Sequence, residues 1–127
     1  MSDFSLNMTT SNVFTPTQDT HSISLNLGIT NPSKIHIIAE KGQLTHQSHY
    51  VVNNITIVKS DDDEVYNGLV IAKCSNNFSS NYLTGYSLEI TEGEHGNILT
   101  LSPEVVVNNE KIEAYFQAGI TYRWIAV

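Results

Sequence analysis

His46 and His49 stand three residues apart, a spacing at which a turn can bring two imidazoles to one zinc ion. His21 or His36, arriving from a neighbouring strand, would add a third nitrogen ligand. In an extended strand the two rings point to opposite faces instead. No second cysteine and no His-Glu motif reinforces the pair, so histidines at the rim or surface are the ordinary expectation. Asp61, Asp62 and Asp63, followed by Glu64, form the densest charge cluster. Their oxygens suit Ca2+, and Glu92 and Glu94 would complete such a site if their own turn lay at the same end of the fold. The mid-loop glycine and closing glutamate of an EF-hand loop do not follow, and a solvated turn that interrupts strand pairing accounts for the same residues. His95 lies in a Gly-flanked loop that meets water. Cys74 is the lone cysteine, without a local cysteine-enzyme signature, and reads as a buried structural thiol. No Gly-x-Ser-x-Gly elbow and no Gly-rich phosphate loop occurs, and Glu89 with Glu92 is an ordinary strand-to-turn pair, not a catalytic dyad. Nothing in the sequence argues for an enzyme.

Residues 75–82, Ser-Asn-Asn-Phe-Ser-Ser-Asn-Tyr, followed by Tyr86, have a different character. Tyr presents a flat amphipathic ring at low entropic cost, and Asn and Ser supply adaptable donors and acceptors. Read as a loop, this stretch designates Asn76, Asn77, Asn81, Tyr82 and Tyr86 as ligand-binding residues for a glycan or a protein surface. A polar connection in an Asn-rich chain has the same composition. Tyr122 and Trp124 share a parity near the carboxyl end and are expected as core anchors.

The elements that must position these groups are written as two-residue alternation. Ile23, Leu25, Leu27 and Ile29 interleave with Ser22, Ser24 and Asn26, which makes one face of an extended segment apolar and the other wet. Similar strands are expected at Phe4–Met8, Ile35–Glu40, within 44–59, from Val65 to Cys74, from Tyr82 to Ile90, at Ile98–Leu101, at Val105–Val107 and at Thr121–Val127. In the longest of them, Val51, Asn53, Ile55 and Ile57 share one parity, while Val52 and Val58 take the other. Pro16 forbids regular pairing in the polar segment 10–20, and Asn31-Pro32-Ser33 signals a turn. Residues 92–97 and Asn108-Asn109 read as hairpin reversals. Residues 112–119 also fit helical spacing, with Asn109 as cap and Gly119 as terminator, but the aromatic and β-branched setting favours a strand. No crossover helix is available to make a parallel sheet.

These signals predict one all-β domain over residues 1–127, an antiparallel β-sandwich of immunoglobulin-like or jelly-roll kind with about eight or nine strands. With one cysteine in 127 residues there is no disulfide framework, so packing and pairing must stabilise it. Thirteen acidic against six basic residues leave a formal charge of −7, which repels a phosphate backbone and argues against nucleic acid. No apolar run is long enough for a membrane span. The amino terminus lacks the basic and apolar regions of a secretory signal, which points to a cytoplasmic or non-classically exported protein. The sequons at Asn7, Asn54 and Asn77 are what chance supplies in such a composition. The expected function is therefore non-catalytic recognition, lectin-like or cell-surface binding through loops at one end of the sandwich, without a required cofactor. The alternative is a structural or assembly subunit, such as a toxin component, appendage or inclusion protein, forming a homo-oligomer through strand edges.

Overall fold

A pattern of alternating residues can satisfy its backbone only by pairing with other strands, and this chain does so almost throughout. The computed structural model describes residues 12–62, 65–83 and 85–127. Eleven strands build two sheets, and the described residues contain no α-helix. The larger sheet begins at its edge with β1 (Val13–Phe14), which pairs with β11 (Thr121–Ala126). Then come β3 (Lys34–Lys41) and β4 (Tyr50–Lys59), and from β4 the sheet continues through β5 (Tyr66–Cys74) to β6 (Asn77–Leu83). The smaller sheet orders β2 (Ile23–Asn26), β8 (Gly96–Leu101) and β7 (Leu88–Gly93). The hairpin of β9 (Glu104–Val107) and β10 (Glu110–Tyr115) joins the larger sheet at the start of β4.

That junction departs from the all-antiparallel expectation. Ala114 and Tyr115 pair with Tyr50 and Val51 in parallel. A parallel pair needs a long connection but not a helix; here the connection is several intervening strands. The doubtful segment 112–119 is strand through Tyr115, as the composition favoured, and its hairpin turn holds Asn108 and Asn109 at φ 53° and 67°. Those positive angles are tolerated by asparagine and match the twist of a two-residue hairpin. The expected first strand at Phe4–Met8 lies outside the described residues. The single strand expected from Tyr82 to Ile90 is broken by the 3₁₀ turn Gly85–Ser87 into the end of β6 and the start of β7, and this break with the short edge strand Val13–Phe14 raises the number above the eight or nine expected.

The inner faces of both sheets enter one core cluster. Ile35, Ile37, Val52, Ile55 and Ile57 contribute from one side and Leu88, Leu99 and Leu101 from the other. At roughly 1.5–3 kcal/mol for each fully buried large apolar side chain, this shared core is the main stabilising term. Tyr122 and Trp124 lie in it as anchors, and Phe14, Phe116 and Tyr122 pack as a triad with ring centroids 5.2–5.7 Å apart. Asn97 is the one buried polar residue among those described. Its Oδ1 accepts from the Asn31 amide at 2.7 Å and its Nδ2 donates to the Thr91 carbonyl at 3.2 Å, so burial leaves its side chain satisfied at both ends.

The parity expected in β4 is wrong at its beginning. Register with β5 slips between Val52 and Asn54, a β-bulge with Asn53 as the extra residue. The slip puts Val52, Ile55 and Ile57 in one core, while Val51 is buried outside that cluster and Val58 turns outward. Two adjacent valines followed by two asparagines were the sequence trace of this break in alternation.

Candidate functional site

Residues 75–82 do not form the expected recognition loop. Ser75 and Asn76 make a tight turn, with Ser75 at φ 53°, and Asn77–Leu83 is β6, registered against β5 along its length. Strand alternation then divides the proposed ligand set. Phe78 and Tyr82 face outward, 60% and 74% exposed, whereas Asn77 and Asn81 take the opposite parity. Asn76 stays in the turn. Tyr86 is fully exposed in the short 3₁₀ turn Gly85–Ser87, away from the strand parity of Tyr82.

The face of the larger sheet that presents Phe78 and Tyr82 carries two recesses near β4, β5 and β6. One, of about 410 Å³, is lined by Gln43, Leu44, Thr45, Asn53, Lys73 and Phe78 among others. The bulge is what brings Asn53 there, because the extra residue is released from the ladder and re-aimed. Its Oδ1 accepts from Asn54 Nδ2 at 2.7 Å, and its own amide hydrogens meet no acceptor among the described residues. Lys73 and Phe78 are registered partners on β5 and β6, and the ammonium sits 5.8 Å from the ring centroid. The second recess, of about 400 Å³, is lined by Thr56, Val58, Asn67, Gly68, Leu69 and Tyr82. Phe78 and Tyr82 are four residues apart on one strand face, which places their Cα atoms about 13 Å apart along it.

The wall formed by residues 42–45, and the segment 46–49 that follows it, are held from several sides. Gln117 Oε1 accepts from the Thr45 amide at 3.3 Å, and Gln117 Nε2 donates to the Gln43 carbonyl at 3.3 Å. Gly42, at φ 100°, lies so close to Ile120 that an added Cβ would stand 2.6 Å from its Cδ1. Further along, the His46 carbonyl accepts from the Ser75 amide at 2.9 Å, and the Gln47 carbonyl accepts from the Cys74 thiol at 3.5 Å. Cys74 is thus half-buried and engaged by this loop, a correction to the fully buried thiol expected.

The two histidines do converge, with ring centroids 4.4 Å apart, because residues 46–49 form a turn and not a strand. The third group is Asp19, not His21 or His36. Asp19 Oδ2 lies 2.8 Å from His46 Nε2, and the ligand atoms of Asp19, His46 and His49 lie within 4.8 Å of one another. His49 packs on Tyr115 in a tilted pair at 4.8 Å, and His21 packs on Tyr115 at 5.7 Å, while His36 stands on the outer sheet face beside Lys34 and Ile125.

The hydrogen bonds decide what this cluster can do. His46 Nδ1 accepts from the backbone amides of Ser48 at 3.2 Å and His49 at 3.1 Å, so it carries no proton. Nε2 is then the protonated nitrogen and donates to Asp19, whose Oδ1 accepts from the Ala118 amide at 2.9 Å. A metal-bound imidazole normally presents its second N–H to an acceptor. Here that nitrogen faces two donors, so one end of His46 closes its own turn and the other fastens that turn to Asp19. Nothing in the sequence around Asp19 marked it as the partner.

Asp61 and Asp62 stand in an exposed turn, beside Lys59 in a recess of about 290 Å³, and Asp63 lies outside the described residues. They belong to no group of three ligand atoms close enough to share an ion among those residues. Glu92 and Glu94 lie at the β7–β8 reversal, where Glu94 stands 3.8 Å from His95. No helix of the described residues is long and apolar enough to cross a membrane. A scan against protein-family models, a search of curated proteins and a search of solved structures each found no match to this chain.

Proposed function

We propose that this chain is a non-catalytic recognition module that binds a glycan on the outer face of its larger sheet. The observation that carries the reading is the bulge at Asn53, which places side-chain amide donors without an acceptor among the described residues in a recess walled by Phe78. A sugar ring has an apolar C–H face and a periphery of hydroxyls. Phe78 offers a surface for the first, and the amides of Asn53 and Gln43 with the Thr45 hydroxyl offer donors and acceptors for the second. Tyr82, about 13 Å further along the same strand face, extends the surface to the length of a short oligosaccharide. The binding element moves accordingly from the loop expected at residues 75–81 to a sheet face. We read the two sheets as layers of a sandwich of jelly-roll or immunoglobulin-like kind, with this face as its platform.

The groups best suited to bond making are engaged in holding the fold, His46 at both nitrogens and the Cys74 thiol at a carbonyl, which supports binding over catalysis. A glycan array tests the proposal. Phe78→Ala and Asn53→Ala are each expected to weaken the best saccharide by about ten-fold or more, or at least about 1.4 kcal/mol, with an unchanged far-ultraviolet spectrum. An array without a saccharide ligand, or variants that bind like the parent, would overturn it.

A second reading rests on a separate observation. Ile38, Val58, Leu69, Ile125 and Val127 are exposed on the larger sheet and would suit an assembly subunit that packs sheet on sheet. Solution mass that rises with concentration in the absence of saccharide, and falls in Leu69→Asp, would favour it.

A further inference from the structure

Charge is distributed unevenly over this acidic chain. The strands β3, β4, β5, β6 and β11 carry the five cations Lys34, Lys41, Lys59, Lys73 and Arg123 against the one carboxylate of Glu40, a net +4. The chain as a whole is −7, so everything outside these strands amounts to −11. Glu40 is itself taken by Arg123, whose Nη2 donates to its Oε1 at 2.9 Å. The β9–β10 hairpin of the same sheet adds Lys111 against Glu104, Glu110 and Glu113, which makes the sheet as a whole +2, so the positive excess lies on the five strands named and not on the hairpin. Within the larger recess Lys73 is the one charged lining residue, and among the described residues its ammonium has the Phe78 ring and no carboxylate as partner.

A cation held against an aromatic wall, with unpaired amide donors opposite, is suited to a ligand that carries negative charge beside an apolar ring. Resting on the glycan reading above, we infer that the ligand is an acidic oligosaccharide, with a carboxylate or sulfate placed on Lys73 Nζ and its sugar ring on Phe78. Asn53 Nδ2 donates to the hydroxyl periphery. The acidic remainder of the molecule repels the same ligand from other surfaces, so charge orients the encounter as well as strengthening it.

Isothermal titration of the full chain at low and at physiological salt tests this with four probes. They are a hexasaccharide of alternating glucuronate and N-acetylglucosamine, a sulfated hexasaccharide, neutral chitohexaose, and a six-nucleotide oligothymidylate. Lys73→Gln and Lys73→Arg serve as variants. At low salt an acidic hexasaccharide is expected to bind about ten-fold more tightly than the neutral one, and to weaken as salt screens the charge. Lys73→Gln should lose about five-fold for the acidic probe and nothing for the neutral one, while Lys73→Arg retains most of the affinity. The better of the uronate and sulfate probes identifies the anionic group.

Equal affinity for neutral and acidic probes, or a Lys73→Gln variant that discriminates like the parent, overturns the inference and leaves the glycan reading standing. Oligothymidylate that binds as well as the acidic sugar overturns it too, because charge alone would then account for binding. So would self-association at low salt that competes with the sugar, since the basic sheet would be seated on the acidic surface of a second copy. Absence of binding to every saccharide removes both readings together.

Discussion

Tyr122 shows how one side chain can join the two ends of this chain's logic. Its ring fills the core, and its hydroxyl donates to the Val52 carbonyl at 2.9 Å and accepts from the Gln117 amide at 3.0 Å. It therefore ties the bulge in β4 to the residue that clamps the 42–45 wall. Burial disfavours the phenolate and pushes the hydroxyl's pKa up to about 12, from 10.0. The folded state then binds the proton more tightly than the unfolded state. Stability is intact below pH about 10 and falls as pH rises toward about 12, by roughly 2–3 kcal/mol in all. Tyr122→Phe should cost about 1–3 kcal/mol at neutral pH, because it leaves a buried carbonyl and amide unpaired. Urea unfolding at pH 8 and pH 11.5 is the measurement, and the gap between parent and variant should narrow at the higher pH.

At the scale of elements, the segment that matters most is the irregular one. Residues 42–45 form one wall of the larger recess, and in the segment that continues it the imidazole of His46 bonds to Asp19 while its other nitrogen closes the turn on Ser48 and His49. Removing that ring frees three hydrogen-bonding partners at once and loosens the carbonyl of Gln47 that receives the Cys74 thiol. His46→Ala is expected to raise the rate at which a maleimide labels Cys74 by several-fold. Global stability should fall by only about 1–2 kcal/mol, as for other partly exposed hydrogen-bonded clasps. An unchanged labelling rate would mean that the loop keeps its place without the clasp. The pair of histidines was visible in the sequence; their partner was not, because Asp19 lies 27 residues earlier in a polar segment with no periodicity to place it.

For the whole molecule, the shared core has a consequence for cooperativity. The smaller sheet of β2, β8 and β7 buries Leu88, Leu99 and Leu101 only against the larger one, and a three-stranded sheet with its apolar face uncovered has little stability of its own. Both sheets should therefore unfold together. Fluorescence of Trp124, which reports on the larger sheet, and far-ultraviolet dichroism, which reports on both, should give one urea midpoint. Leu99→Ala should move both signals by the same amount, about 2–5 kcal/mol. Separate midpoints would show that the sheets are independent units.

Alternation of period two determined the all-β class, most strand positions, the Asn108-Asn109 and 92–97 reversals and the burial of Tyr122 and Trp124, because each of these depends on neighbours a few residues away. The same local logic misread 75–82, where Asn and Ser composition suggested a loop and pairing with β5 made a strand. It also had no means of finding the parallel contact of β10 with β4, the bulge that turns Asn53 outward, or the gathering of five cations on the strands β3, β4, β5, β6 and β11. Those arise only when residues far apart in sequence are brought together. Strand register and parity are set by what packs on each face, so the recess and its charge came into being with the tertiary fold.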